Sequence, residues 1–292
     1  MSKCYLCPRS CGAERKNSAG FCAVNEKVSV VRAAAHFGEE PCISARNGSG
    51  TVFFAGCNLR CVFCQNHEIS AGQTGRLLDD DELSNLFLRL EAQGVHNINL
   101  VTPTHYSDII ARALKRAKLK IPVVWNSSGY ESVSTLKSLE GLVQIYLPDF
   151  KYAQKSLARD YSAAEDYPET ALAAIKEMLR QTGAFVLDED GIMQGGVLIR
   201  HMILPGSAEN TLRVIDMIED NFPPESIMFS LMAQYTPMPA TKNHPLLCRG
   251  ITRQEFDRCL SYLDFSGLKA GYVQELSSAT DEMIPAFDGT GV

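Results

Sequence analysis

Several features that would assign this chain to a familiar class are missing from its sequence. No apolar run reaches the length of about 20 residues that a membrane-spanning helix needs, and the chain starts in a cysteine-rich segment instead of a targeting signal. Lysine and arginine number 28 against 34 aspartates and glutamates, a net charge of −6, so a basic face for nucleic acid is not expected. We therefore predict a cytoplasmic protein that binds neither membranes nor nucleic acid.

Cysteine, in contrast, is plentiful, and three of the ten lie together directly after a short apolar strand. Cys57, Cys61 and Cys64 are separated by three and then by two residues. Closely spaced thiolates on a loop are typical of iron–sulfur sites, and a four-iron, four-sulfur (4Fe-4S) cluster needs one thiolate per iron. Three thiolates leave the fourth iron open to a small-molecule ligand, which is typical of a catalytic site. A zinc loop or a two-cluster ferredoxin fits less well, because no further cysteine follows until Cys248.

A second group of cysteines lies near the N-terminus. Its four members are Cys4, Cys7, Cys11 and Cys22. Four thiolates within about 20 residues complete a tetrahedral zinc site or ligate a second cluster. Disulfides are the competing interpretation, but they are rare in the reducing compartment expected for this chain. The sequence thus predicts an N-terminal metal and leaves both zinc and an auxiliary iron–sulfur cluster open.

Strands and helices alternate after residue 50, which indicates a parallel sheet with crossover helices. The predicted strands span residues 51–54, 97–101, 121–125, 142–147, 197–204 and 226–231. The predicted helices span residues 105–118, 168–181, 208–220 and 252–265, with others starting after aspartates 79–81 and near residue 131. Six such units fit an open, partial (β/α)6 barrel better than the alternative flavodoxin-like sheet, because polar segments repeatedly follow the strands, as at a barrel mouth.

The chain is expected to divide into three segments. Residues 1–50 form a small metal-binding module, since so short a segment needs a staple to fold. Residues 51–278 form the partial barrel, and residues 279–292 form a C-terminal tail.

Polar residues follow three successive predicted strands, where a barrel places its ligand-binding groups. These residues are Asn126, Ser127, Ser128 and Gly129 after the third strand, Asp149 and Lys151 after the fourth, and Arg200 and His201 near the end of the fifth. Lys151 or Arg200 supplies a cation for a carboxylate-bearing cofactor. Taken singly, an Asp–Lys pair such as Asp149 and Lys151 is more often a surface ion pair, and a histidine such as His201 is more often a core residue; their recurrence at the same strand ends favours a shared site.

The spacing of the three clustered cysteines resembles that of the radical S-adenosylmethionine (SAM) superfamily. The resemblance implies that Cys57, Cys61 and Cys64 hold a 4Fe-4S cluster whose open iron is chelated by the amino and carboxylate groups of SAM. One electron then cleaves the sulfonium to methionine and a 5′-deoxyadenosyl radical, which abstracts hydrogen from a substrate. Protein groups supply positioning and the exclusion of water.

Further segments resemble the branch that contains pyruvate formate-lyase activating enzyme. Residues 126–130 match the place of its T-N-G segment at the cofactor, Asp149 and Lys151 match its D-x-K motif, and residues 200–206 look like its Arg-His and Pro-Gly stretch. The four-cysteine head looks like that of an activase-like subgroup. This resemblance implies an oxidoreductase that activates a glycyl radical enzyme, with a flavodoxin- or ferredoxin-type electron donor. Two alternatives stay open: a small-molecule or peptide substrate, and a non-catalytic electron-transfer protein with closed clusters.

Overall fold

The computed structural model describes residues 3–72, 74–278 and 285–292. Ten strands within these residues form one sheet: β1 Val28–His36, β2 Ser49–Phe54, β3 Arg76–Leu78, β4 Ile98–Val101, β5 Val123–Ser127, β6 Ile145–Pro148, β7 Val186–Leu187, β8 Met193–Met202, β9 Ile227–Met232 and β10 Gly271–Val273. The α-helices are α1 Pro41–Ser44, α2 His67–Ser70, α3 Asp80–Glu91, α4 Ser107–Ala117, α5 Val133–Ser138, α6 Lys155–Ser162, α7 Tyr167–Thr182, α8 Ala208–Glu219 and α9 Arg253–Phe265. No helix of the described residues is long and apolar enough to cross a membrane.

The parallel strands β2, β4, β5, β6, β8, β9 and β10 follow one another in space in chain order, whereas β1 and β3 lie beyond β2 at one edge. Their order is β10-β9-β8-β6-β5-β4-β2-β1-β3, with β7 paired to β8. All neighbours from β2 to β10 are parallel, whereas β1 and β3 extend one edge antiparallel. Within the described residues β3 and β10 do not pair with each other, so the sheet stays open. The predicted α/β partial barrel is confirmed.

The local signals in the sequence correspond closely to these elements. Each of the six predicted strands matches a parallel strand within four residues at either end. Asp79 caps α3 as predicted: its carboxylate accepts hydrogen bonds from two backbone amides, and Glu82 reaches back to its amide in a capping box. The predicted helix over 105–118 consists of one 3-10 turn followed by α4.

The residues before position 50 contribute more to the sheet than the sequence analysis expected. β1 pairs along β2 because Val28, Val30 and Ala33 turn toward the main core. The cysteine-rich part that lies outside the sheet is therefore residues 3–27. Residues 279–284 of the predicted tail lie outside the described residues, and the three-part division of the chain stays a prediction.

The short segment between β1 and β2, which contains α1, packs against the inner face of the sheet. Cys42 and Ile43 of α1 pack against Val124, Ile145 and other apolar side chains near the amino ends of the parallel strands. Residues that alternate along a strand share a face, so Val124 and Asn126 both point inward, at different heights. This apolar packing lies beneath a polar layer, which forms the floor of the candidate site.

Candidate active site

The three clustered cysteines lie on the loop after β2 and line one cavity of about 220 Å³. Gly56 starts this loop with a φ of +82°, and a Cβ there would lie 2.5 Å from the carbonyl oxygen of Cys22, so glycine is needed at this position. The loop is fixed from the other side by Asn58, whose amide donates to the carbonyl of Tyr130 at 2.7 Å. The strand end, the glycine turn and this anchor hold the three sulfurs at the cavity wall.

The surroundings of the thiols are suited to a positively charged metal cluster. Burial raises the pKa of Cys57 to about 12 and that of Cys64 to about 11, and repulsion from the Cys61 sulfur adds to both shifts. These raised pKa values favour neutral thiols, whereas metal ligation requires thiolates. The positive charge of a bound metal must therefore stabilise the thiolate form. The hydroxyl of Ser162 donates to Cys61 Sγ at 2.9 Å, and the amide of Leu59 donates to Cys57 Sγ at 3.4 Å. Such donors stabilise ligating sulfur.

Charged side chains form the floor of the same cavity. Lys151 Nζ lies 2.6 Å from one carboxylate oxygen of Asp149, and Arg200 Nε lies 3.1 Å from the other. Arg200 also donates to Asn126 Oδ1 at 2.7 Å. Burial alone would raise the pKa of Asp149, but the two cations prevail and lower it. Asp149 is therefore ionised and holds both cations in fixed positions.

Glu39 completes this network, and the sequence analysis did not identify it as a site residue. Its Oε2 accepts from Arg200 Nη1 at 3.0 Å, and its Oε1 accepts from the side-chain amides of Asn99 and Asn126 at 3.0 and 3.1 Å. The neighbouring Glu40 does not line the cavity; burial raises the pKa of its carboxyl. The floor of the site thus depends on the segment between β1 and β2.

Most of the predicted cofactor-binding residues line this cavity. They are Asn126, Ser127, Ser128, Asp149, Lys151 and Arg200. The buried hydroxyl of Ser128 has no hydrogen-bond partner within the described part of the chain, which leaves it free for a ligand. Their roles in binding a cofactor stay predictions.

Gly129 and His201 lie outside the cavity lining. A Cβ at Gly129, where φ is +73°, would lie 2.3 Å from the carbonyl oxygen of Asp149, so this residue serves close backbone packing. The His201 ring faces the core, where its nitrogens contact the Phe150 carbonyl at 2.6 Å and the Thr211 hydroxyl at 3.0 Å. Burial lowers the pKa of His201 to about 4, so the ring is neutral. The reason is the strand period: His201 points away from the face that carries Arg200.

Of the four N-terminal cysteines, Cys22 lies directly against the loop of the three clustered cysteines. Cys7 and Cys22 are buried, Cys4 is half-buried, Cys11 is exposed, and all are free thiols. A Cβ on Gly20 would lie 3.3 Å from Cys11 Sγ and 3.5 Å from Cys22 Sγ, so these two sulfurs flank one glycine. The carbonyl of Cys22 accepts from the amide of Cys57 at 3.3 Å.

Electrostatic interactions between the N-terminal thiols shift their pKa values, and Cys22 takes part in such interactions with Cys4, Cys7 and Cys11. Burial raises the pKa of Cys7 to about 12, and the nearby Cys22 and Cys4 contribute to this rise. Across the described residues, no group of three or more His, Cys, Asp or Glu side chains is arranged to hold a single metal ion. The metal at the N-terminal cysteines stays a prediction.

A buried glutamate, Glu131, lies on the loop between β5 and α5. Glu131 Oε1 accepts from Thr104 Oγ1 at 2.6 Å and from Trp125 Nε1 at 3.2 Å, whereas its Oε2 has no partner among the described residues. Burial outweighs these hydrogen bonds and raises the pKa of Glu131 from 4.5 to about 7. The folded protein therefore keeps a proton that the unfolded chain releases.

This shift predicts how stability depends on pH. The contribution of Glu131 to the free energy of unfolding should fall by about 3 kcal/mol as pH rises from about 4.5 to about 7 and then level off, whereas buried histidines such as His201 contribute with the opposite sign in both proteins. Glu131→Gln, whose amide stays neutral, should remove this decline. Urea unfolding of both proteins at several pH values measures the effect. An equal decline in the variant would contradict the assignment to Glu131.

Comparison with known proteins agrees with this geometry. Residues 51–218, more than half of the chain, match the model of the Radical SAM superfamily. An uncharacterized protein of Methanocaldococcus jannaschii is 28% identical over 270 residues, which cover 89% of this chain and 74% of that protein.

Two solved structures have the same fold. Streptococcus suis SuiB bound to S-adenosylmethionine matches with a TM-score of 0.51 and 15% identity, over 76% of this chain and 49% of that chain. HydG, a maturase of the FeFe-hydrogenase, matches with a TM-score of 0.50 and 16% identity, over 75% of this chain and 49% of that chain. This chain thus spans about half the length of the solved structures that it matches, and the likeness is one of fold. Because the family model matches more than half of its length, the chain belongs to the radical SAM superfamily, whose enzymes use a 4Fe-4S cluster and SAM.

Proposed function

We propose that this radical SAM enzyme abstracts a hydrogen atom from a polypeptide, and that the backbone glycine of a glycyl radical enzyme is its substrate. The observation that carries the proposal is the shared cavity: Cys57, Cys61 and Cys64 face it together with the charged network of Asp149 and Arg200. Three thiols leave one iron of a four-iron cluster open. When bound, the cluster supplies one electron and SAM supplies the radical.

The residues of the cavity match the chemical groups of SAM. The methionine end of SAM carries a carboxylate, an amino group and a sulfonium. Lys151 and Arg200 offer positive charge to the carboxylate, whereas Asp149 and Glu39 offer negative charge to the cationic groups. These four side chains are largely buried, so their charges act in a medium from which most water is excluded.

A set of amide side chains at the strand ends favours a polypeptide substrate. Gln65 and Gln234 line the cavity, and Gln65 Nε2 donates to the carbonyl of Gln234 at 3.3 Å. Gln274 Nε2 donates to Gln234 Oε1 at 3.1 Å, and the buried Oε1 of Gln274 lacks a partner among the described residues. Amides both donate and accept hydrogen bonds, as a peptide backbone requires. The solved form of SuiB bound to a precursor peptide gives further support by analogy of fold.

The substrate claim is tested with the reconstituted holoenzyme, SAM and dithionite in the absence of oxygen. Short synthetic peptides that contain α-dideuterated glycine are added, and the 5′-deoxyadenosine is analysed by mass spectrometry. Transfer of deuterium into 5′-deoxyadenosine is the expected result. Formation of 5′-deoxyadenosine without deuterium, together with deuterium transfer from a labelled small molecule, would overturn the polypeptide claim and leave the radical chemistry intact.

Glu39 should be important for SAM affinity because it fixes Arg200 and Asn126 on the cavity floor. Glu39→Gln removes a charge-assisted hydrogen bond to Arg200, so we expect SAM to bind about tenfold more weakly. Anaerobic isothermal titration calorimetry measures the dissociation constant. Glu189→Gln is the control, because Glu189 is exposed and does not line the cavity, and its effect should stay within about twofold. Equal losses in the two variants would contradict the assigned role.

The N-terminal cysteines are proposed to hold either one zinc ion or an auxiliary iron–sulfur cluster. Support comes from Cys22, whose sulfur interacts electrostatically with those of Cys4, Cys7 and Cys11 and whose carbonyl accepts from the amide of Cys57. Metal analysis separates the two: about one zinc per chain, or about four irons beyond those of the first cluster. Cys22→Ser should lower whichever metal is present, and an unchanged metal content would contradict this site.

The cellular setting is also a proposal. We propose a cytoplasmic location and a flavodoxin- or ferredoxin-type protein as the electron donor, since the cluster requires a low-potential reductant.

A further inference from the structure

The C-terminal tail of residues 285–292 lies along the outer edge of β1. The other edge of β1 is paired with β2, and β3 covers the outer edge only as far as Val30. Beyond that point the amide of Gly289 donates to the carbonyl of Val31 at 3.1 Å, and the amide of Ala33 donates to the carbonyl of Thr290 at 2.9 Å. The edge of β1 thus accepts a second chain segment through two backbone hydrogen bonds, which are made where the tail turns over residues 289–292.

The tail also forms part of the wall of the active-site cavity. Pro285 lines the cavity, as does Phe53. The ring of Phe287 packs edge-on against that of Phe53, with centroids 5.5 Å apart. A molecule that enters from this side meets the tail.

Many of the contacts that hold the tail are at the surface, while the carbonyl of Gly291 also accepts from Arg89 Nη2 at 3.4 Å and Val292 packs against the main core. Arg32 Nη1 donates to the carbonyl of Ala286 at 3.1 Å and to Asp288 Oδ1 at 3.2 Å, an exposed ion pair of little strength. Residues 288–291 are exposed. A separate polypeptide that made the same contacts would have to displace the tail. The tail's main advantage is that it is tethered to the chain, which gives it a high effective concentration at the edge of β1.

We propose that the outer edge of β1 is a docking site for a polypeptide segment, which the tail occupies in cis and which a substrate takes over by making the same backbone hydrogen bonds to Val31 and Ala33. The contacts of the tail define the fitting partner: an aromatic side chain placed against Phe53, followed by an acidic side chain that pairs with Arg32. This inference rests on the proposed polypeptide substrate, and it adds the place where that substrate binds and the segment that it displaces.

Two glycines of the tail provide a matched pair of variants. Gly289 and Gly291 have φ values of +83° and +76°, so alanine is similarly strained at both. A Cβ on Gly291 would lie 1.8 Å from the carbonyl oxygen of Ala33, whereas a Cβ on Gly289 meets nothing within 4 Å. Gly291→Ala should therefore release the tail, and Gly289→Ala serves as the control for strain.

The probe is a fluorescein-labelled synthetic peptide with the sequence of residues 285–292, titrated with the full chain and followed by fluorescence anisotropy. We expect the Gly291→Ala variant to bind it at least about tenfold more tightly than the wild type does, because the competing tail is gone. The Gly289→Ala variant should remain closer to the wild type. Equal affinity of all three proteins, or no binding to the Gly291→Ala variant, would overturn the docking site.

A second readout separates this inference from the proposed function. With the α-dideuterated glycine peptides, the Gly291→Ala variant should transfer deuterium into 5′-deoxyadenosine faster than the Gly289→Ala variant. Probe binding without deuterium transfer would overturn the polypeptide reaction and retain the docking site. Deuterium transfer at equal rates, without probe binding, would overturn the docking site and retain the reaction.

Discussion

Reductive cleavage of SAM should be lost when Cys61 is replaced by alanine. We expect 5′-deoxyadenosine formation to fall by about 10³-fold or more, equivalent to at least about 4 kcal/mol of transition-state stabilisation. The reason is the ligand count: among the residues that the structure describes, only Cys57, Cys61 and Cys64 bring thiols to the cavity, so the variant keeps two. Anaerobic reconstitution with dithionite and SAM, followed by chromatography of 5′-deoxyadenosine, measures the effect.

Cys248 provides the matched control for this experiment. It is exposed and does not line the cavity, so Cys248→Ala removes one thiol from the chain without touching the site. This variant should hold as much iron as the wild type and form 5′-deoxyadenosine at a similar rate. A Cys61→Ala protein with wild-type iron content and turnover would show that the cluster is bound elsewhere.

The second large effect concerns stability and comes from Arg200. Its buried guanidinium pairs with Asp149 at 3.1 Å and with Glu39 at 3.0 Å. Arg200→Met fills a similar space but leaves three carboxylates, of Asp149, Glu39 and Glu40, without this partner, so the free energy of unfolding should fall by about 3–5 kcal/mol. Urea unfolding near neutral pH measures the loss. Because protonation of the carboxylates relieves it, the loss should shrink as the pH is lowered.

An exposed arginine serves as the control for the loss of a charge. Arg180 makes ion pairs with Glu140 and Glu177, but its side chain is half exposed. Water screens such pairs, so Arg180→Met should destabilise the protein far less than Arg200→Met. Similar losses in the two variants would contradict the view that the Arg200 network is a buried and interdependent unit.

The sequence was sufficient for the features that depend on local spacing. The three cysteines of the loop after β2 and the alternation of strands with helices are short-range patterns, and the structure has the predicted strands at nearly the predicted places. The carboxyl ends of parallel strands meet at one edge of a sheet, so Asn126, Asp149 and Arg200 are expected to lie close together. They line one cavity.

Such short-range patterns do not predict contacts between residues that are far apart in the sequence. Glu39 pairs with Arg200, which lies 161 positions later in the sequence. No local hydrophobic periodicity indicates that the segment before β2 packs against the inner face of the sheet. Residues 285–292 likewise give no local sign that they lie on β1. For His201 a signal was present: two neighbouring residues of a strand point to opposite faces, so Arg200 and His201 do not both face the cavity.

The central claim is that the three cysteines hold a cluster with one iron open to SAM. Its most direct test is electron paramagnetic resonance of the reduced, reconstituted protein, recorded without and with SAM. We predict that SAM changes the g values and the line shape of the reduced 4Fe-4S signal, because its amino and carboxylate groups bind the open iron. A fully loaded and reducible cluster whose spectrum is unchanged at saturating SAM would contradict the account.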